Sequence, residues 1–165
     1  MNSTINSHII GMGYYVPDNI IENSYFTSFM ETSDQWIRER TGIKQRRFAN
    51  TNQGPSDIAI PAVKMALQNA HLSVNDIDFI IFATSTPDYY IPGSGCLIQE
   101  KMNFPNIGAL DIRCACTGFI YALSIADQYI KTGMYSNILI VASEVQSTAM
   151  DLSNKGRDTA VIFAD

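Results

Sequence analysis

Hydrophobic positions along this chain change their period several times, and each change marks an element. Residues 79–83 (Phe-Ile-Ile-Phe-Ala) and 137–142 (Asn-Ile-Leu-Ile-Val-Ala) are apolar runs too short for a helix. They have the pattern of strands buried on both faces. Residues 107–112 read as another short buried strand. Elsewhere the period is helical. Ile58, Ala62, Met65, Ala66 and Leu67 form a stripe over 57–70. Phe119, Tyr121, Ala122, Leu123, Ile125, Ala126, Tyr129 and Ile130 fall largely on one stripe after residue 116, with Gly133 as its stop. Residues 95–102 read as a shorter helix after Pro92-Gly93.

At the N-terminal end, residues 8–16 read as a first strand, closed by Pro17-Asp18-Asn19. A short helix is expected over 24–30. Thr32 and Gln35 have capping-box spacing, which starts a helix running to Thr41 before Gly42. A polar stretch over 143–159 leads to a last apolar run, 160–165, read as a strand. Strands alternating with helices predict an α/β fold: a mixed, mostly parallel sheet covered by helices on both faces. No linker or repeat divides the chain, so residues 1–165 are expected to form a single domain. A domain rarely stops at the end of a strand, so the chain is expected to be cut rather than finished.

Composition narrows the function classes. Of 165 residues, 46% are apolar and 16% charged, and the net charge is −5. This balance gives no support to nucleic-acid binding. Yet Arg38, Arg40, Lys44, Arg46 and Arg47 place five of the eleven basic residues within ten positions. That cluster reads either as a local anion-binding patch or as a solvated helix face. Cys96, Cys114 and Cys116 have neither a disulfide framework nor zinc spacing, so no metal is expected. With no signal-peptide pattern and no apolar run long enough to span a bilayer, a reduced cytoplasmic location without membrane contact is expected.

The candidate chemistry centres on Cys116. It lies where the 107–112 strand ends and the well-patterned helix begins, among the small residues Ala115, Thr117 and Gly118. A helix N-terminus offers unpaired N–H groups and the positive end of the helix dipole. Thiols so placed serve as nucleophiles in acyl transfer. The alternative is a small buried hydrophobe, the common fate of a lone Cys. Trp36, the only Trp, stands beside Arg38 and Arg40. Such a group suits stacking on an adenine and pairing with phosphates, or simply the packing of an amphipathic helix. His8 and His71 are read as structural.

Four motifs in order carry a resemblance. They are Gly11-Met12-Gly13-Tyr14-Tyr15-Val16-Pro17; Thr32-Ser33-Asp34-Gln35-Trp36-Ile37 with Arg40-Thr41-Gly42-Ile43; Cys114-Ala115-Cys116-Thr117-Gly118-Phe119; and Gly156-Arg157-Asp158-Thr159-Ala160-Val161-Ile162-Phe163. Together they resemble the N-terminal half of β-ketoacyl-acyl-carrier-protein synthase III, a condensing enzyme of the thiolase superfamily. The resemblance covers residues 8–165, and it implies a thiolase-like fold.

It also implies a reaction at the start of fatty acid biosynthesis. An acyl group passes from acyl-coenzyme A to the Cys116 thiolate. A malonyl thioester on acyl carrier protein then loses carbon dioxide, and its carbanion attacks the acyl carbonyl. The Cys116 N–H would donate to the oxyanion of the first step. The resemblance places Trp36 and Arg157 on either side of the adenine, Arg40 near the phosphates and Thr32 as a possible adenine contact. Acyl-coenzyme A is a substrate, so no cofactor is implied. Arg46 and Arg47 become candidates for carrier-protein docking. Where Ile91 stands the family often has Phe, reaching across a homodimer toward the partner's acyl pocket; the smaller Ile loosens any preference for acetyl. The His and Asn used for decarboxylation belong to the family's second half. The alternatives are a non-catalytic or split half-domain that binds coenzyme A thioesters or dimerises with a complete relative, and a related secondary-metabolite or long-chain ketosynthase.

Overall fold

The computed structural model describes residues 5–165. Its strands are β1 (Asn19–Glu22), β2 (Gln45–Phe48), β3 (Phe79–Ala83), β4 (Gly108–Ile112) and β5 (Ile138–Ala142). Its helices are α1 (Asp34–Thr41), α2 (Pro55–Ala70), α3 (Ser94–Lys101), α4 (Gly118–Lys131) and the short α5 (Arg157–Ala160). Chain contacts divide these elements into two compact units: Gly54–Glu144 with the segment ending at Tyr15, and Val16–Gln53 with Val145–Asp165.

The larger unit is a parallel sheet in the order β4-β3-β5. All five residues of β3 are buried, because the strand is central and both of its faces are covered. Ile80 and Phe82 point to one side, where they meet Ala59, Val63 and Leu67 of α2 and Ile98 of α3. Phe79, Ile81 and Ala83 point to the other, against Ala122 and Ala126 of α4. The alternation follows from the two-residue period of a strand. The predicted α/β sheet with helices on both faces is therefore present.

The segment 8–16 departs from expectation, since it forms no strand. A strand requires a ladder partner, and this segment instead runs against α2. A Cβ on Gly11 or Gly13 would collide with the backbone carbonyls of Ala66 and Ala62, so only glycine permits the approach.

The smaller unit holds the antiparallel pair β1–β2 and a core of Phe26, Met30, Ile37, Phe48, Ala160 and Val161. Three local readings change here. The expected 24–30 helix is a 3-10 segment, Asn23–Ser28. The N-cap of α1 is Ser33, whose side chain accepts from the Trp36 N–H at 3.0 Å; the capping box assigned to Thr32 and Gln35 is not formed. Residues 160–165 are not a strand: α5 is followed by a turn. Asp165 is held by one backbone bond, its N–H donating to Arg47 O at 3.0 Å, and by its carboxylate, which accepts from Ala49 N–H at 2.7 Å and from Ser147 N–H at 2.7 Å.

Candidate active site

In the larger unit, β4 delivers the chain to the C-terminal edge of the sheet, where α/β proteins characteristically bind ligands. Arg113 and Cys114 follow, then a single 3-10 turn, Ala115–Thr117, and then α4. Two bonds close the turn: Thr117 N–H donates to Cys114 O at 3.2 Å and the Thr117 hydroxyl to the same oxygen at 2.8 Å. Ala115 has φ +47°, a left-handed conformation that non-glycine residues rarely adopt and that clusters at functional sites. Gly118 opens α4 directly over β3, and a Cβ there would lie 3.1 Å from that of Ala83.

Cys116 thus lies in the turn leading into α4, two residues before the helix itself. Its side chain is exposed rather than packed as a core hydrophobe. Among the described residues, its backbone N–H has no hydrogen-bond acceptor. An exposed thiol and a free donor on one residue can bind an acyl carbonyl and attack it. Cys114 and Cys96 are also free and exposed, so exposure does not separate the three; place in the turn does.

In the smaller unit, Trp36 is half-buried on α1. The Arg40 guanidinium carbon lies 4.2 Å from its ring centroid and that of Arg157 lies 4.7 Å away. Arg157 also donates to Glu31 O at 3.2 Å. At that separation Arg157 stacks directly on the indole, so a base entering between them must displace the guanidinium. Thr32 Oγ1 is buried and has no hydrogen-bond partner among the described residues. The four residues implied for coenzyme A therefore lie together in one unit.

The basic cluster dissolves into separate roles. Arg38 pairs with Asp34 at 2.8 Å, and that bond holds the Asp34 carboxyl below its ordinary range. Arg46 is not available for docking. It is 5% exposed, stacks on Phe26 at 4.5 Å, and donates to Asn23 Oδ1 and Val161 O, each at 3.0 Å. Burial pulls its guanidinium below the usual arginine range. Successive residues of β2 face opposite ways, which is why Arg46 turns inward and Arg47 does not. Arg47 is half-buried, donating to Pro17 O and Asp18 O at 3.1 Å. Ile91 is 82% exposed in the loop after β3, so the described residues of this chain form no pocket around it.

Two residues near the turn escaped the sequence reading. Arg113 donates to Tyr90 O at 3.3 Å and lies 5.0 Å from the Tyr90 ring centroid. Glu144 accepts from the loop after β3. Its position just beyond an apolar strand was the only signal available.

The parallel sheet and the helices on both faces define an α/β protein with a cysteine beyond the strand ends, and its solved neighbours give it the thiolase-like fold. Residues 110–165 match the family model for 3-oxoacyl-[acyl-carrier-protein] synthase III. The chain is 46% identical over 157 residues to β-ketoacyl-[acyl-carrier-protein] synthase III of Fusobacterium nucleatum, a match covering 95% of this chain and 47% of that protein. A solved 3-oxoacyl-[acyl-carrier-protein] synthase III from Aquifex aeolicus is 43% identical and superposes with a TM-score of 0.89, over 95% of this chain and 50% of that one. The solved priming β-ketosynthase of a polyketide pathway is 28% identical with a TM-score of 0.90, over 100% and 49%. The chain spans about half the length of the curated relatives it matches. Over that shared half it is similar to β-ketoacyl-[acyl-carrier-protein] synthase III.

Proposed function

We propose that this chain supplies the nucleophile and coenzyme A-binding part of a β-ketoacyl-acyl-carrier-protein synthase III-type condensing enzyme. The observation that carries the reading is the exposed Cys116 with its unengaged N–H in the turn before α4. In this reading the Cys116 thiolate attacks the carbonyl of acyl-coenzyme A. The oxyanion takes the Cys116 N–H, and collapse expels the coenzyme A thiolate to leave an acyl-enzyme. Trp36 and Arg157 hold the adenine, Thr32 offers its unpaired hydroxyl to it, and Arg40 pairs with phosphate. Decarboxylation of malonyl-carrier protein uses His and Asn groups that lie outside this chain. The complete enzyme is read as a cytoplasmic homodimer, and Ile91 as a wall of the partner's acyl pocket.

The test uses the complete protein. Trp36→Ala should raise KM for acyl-coenzyme A, since one aromatic–base stack contributes about 1–3 kcal/mol, on the order of tenfold. Carbon dioxide release from malonyl-carrier protein should still follow once Cys116 is acylated. An unchanged KM would remove the adenine-binding role. For carrier-protein docking, Arg47→Glu is the informative change, and it should slow carrier-protein use at low salt. Arg46→Glu should instead destabilise the fold by roughly 3–5 kcal/mol, because it leaves an unpaired charge in the Phe26 core.

A further inference from the structure

Glu144 follows β5 at the C-terminal edge of the parallel sheet, the edge from which the Cys116 turn also leaves. Its carboxylate accepts four hydrogen bonds from one three-residue stretch. Oε1 takes the Ser85 N–H at 2.8 Å. Oε2 takes the Thr86 hydroxyl at 2.7 Å, the Thr86 N–H at 3.1 Å and the Thr84 hydroxyl at 3.3 Å. Thr84 is 2% exposed, and its N–H donates to the carbonyl of Ile112, the last residue of β4 before the nucleophile turn. The stretch held by Glu144 is thus bonded to the strand that carries Cys116. It continues to Tyr90 and Ile91, and Arg113 of the nucleophile segment reaches back to Tyr90.

Only a carboxylate suits this ring of donors. Aspartate is one methylene shorter, and glutamine would turn an NH2 toward groups that are themselves donors. We infer that Glu144 is a positioning residue of the proposed acyl-transfer site: it clamps residues 84–86, fixes the loop bearing Ile91 beside Arg113 of the nucleophile segment, and so sets, through Ile91 in the homodimer of that reading, which acyl chains the partner's thiol accepts. This rests on the acyl-transfer reading of Cys116.

The experiment compares Glu144→Gln and Thr86→Val with the unaltered protein, all at full length. It measures Cys116 acylation by acetyl-, butyryl- and octanoyl-coenzyme A, inhibition by free coenzyme A, and the thermal midpoint. Glu144→Gln should shift the octanoyl-to-acetyl ratio of kcat/KM by about tenfold toward the longer chain, with inhibition by coenzyme A unchanged. Thr86→Val, which removes one donor and keeps the carboxylate, should give a smaller shift in the same direction. A ratio untouched in both variants, or an equal fall for every acyl donor, would overturn the clamp. If Glu144→Gln does not fold, Thr86→Val alone decides in the same terms. Unaltered protein that never acylates Cys116 would overturn the acyl-transfer reading itself, a result distinct from an acylating enzyme whose selectivity ignores Glu144.

Discussion

Helices α2 and α4 cover opposite faces of the same sheet and bury different kinds of residue. Over 16 residues α2 buries Ile58, Val63 and Leu67, the ordinary apolar stripe of a helix that faces a core on one side. Over 14 residues α4 buries only Gly118, Ala122 and Ala126, while Phe119, Ile120 and Tyr121 remain 44%, 61% and 50% exposed. The helix with the more apolar sequence is therefore the less buried one. Its small residues bring it close to β3, and that closeness places the Cys116 turn against the strand ends. Ile125 and Tyr129 pack against the same core, whereas Phe119, Ile120 and Tyr121 point elsewhere. A helix apolar around most of its circumference suits burial on two sides, and α2 suits one.

Core substitutions should separate the two helices in opposite senses. On α2, Leu67→Ala removes a buried side chain and should cost about 2–5 kcal/mol, read by chemical denaturation. On α4, Ala122→Leu adds volume where the helix meets β3, and should cost about 1–3 kcal/mol. Ala122→Leu should also slow acylation of Cys116 by moving the turn, whereas Leu67→Ala should leave the acylation rate of the folded fraction near normal. Equal effects on acylation would break the comparison.

The exposed side of α4 gives a sharper version. In this chain alone Phe119→Ser should change stability by less than about 0.5 kcal/mol, the range for an exposed site. With the chain extended to the length of its relatives, about twice its own, the same change should cost several-fold more. An equal small effect in both would mean that α4 needs no second covering layer.

The smallest effect is acid sensitivity at the start of α2. Burial raises the Asp57 pKa, but the Lys101 side chain at 2.5 Å and the Gly54 N–H at 2.9 Å outweigh it, so the net shift is downward. A carboxyl depressed in the folded state stabilises above its unfolded pKa, near 4, and that stability is lost as pH falls below it. Asp57→Asn should therefore cost no more than about 1 kcal/mol at pH 7, given its partial exposure, and progressively less as the pH falls through the folded-state pKa. A cost independent of pH would assign Asp57 a packing role only.

What the sequence made legible follows the same division. Strands β3 and β5 and helices α2 and α4 were readable because burial on one or two faces leaves a periodic trace in neighbouring residues. The segments 8–16 and 160–165 were misread because apolar character does not reveal whether a ladder partner exists, and both are held by other means. Arg46 looked like part of a charged patch because linear clustering ignores the alternation of a strand. Glu144 was invisible for a further reason: its donors lie 58 to 60 residues away in sequence. The sequence put Cys116 at the start of the helix, two residues from where α4 begins, but the left-handed Ala115 behind it left no trace in the residue types.

The most direct test is to expose the full-length protein briefly to acyl-coenzyme A, digest it under conditions that preserve thioesters, and map the modified peptide by mass spectrometry. Acylation is expected on Cys116, with Cys114 and Cys96 unmodified and no adduct after Cys116→Ala. An acyl group on Cys114, or an adduct that persists in Cys116→Ala, would contradict the account.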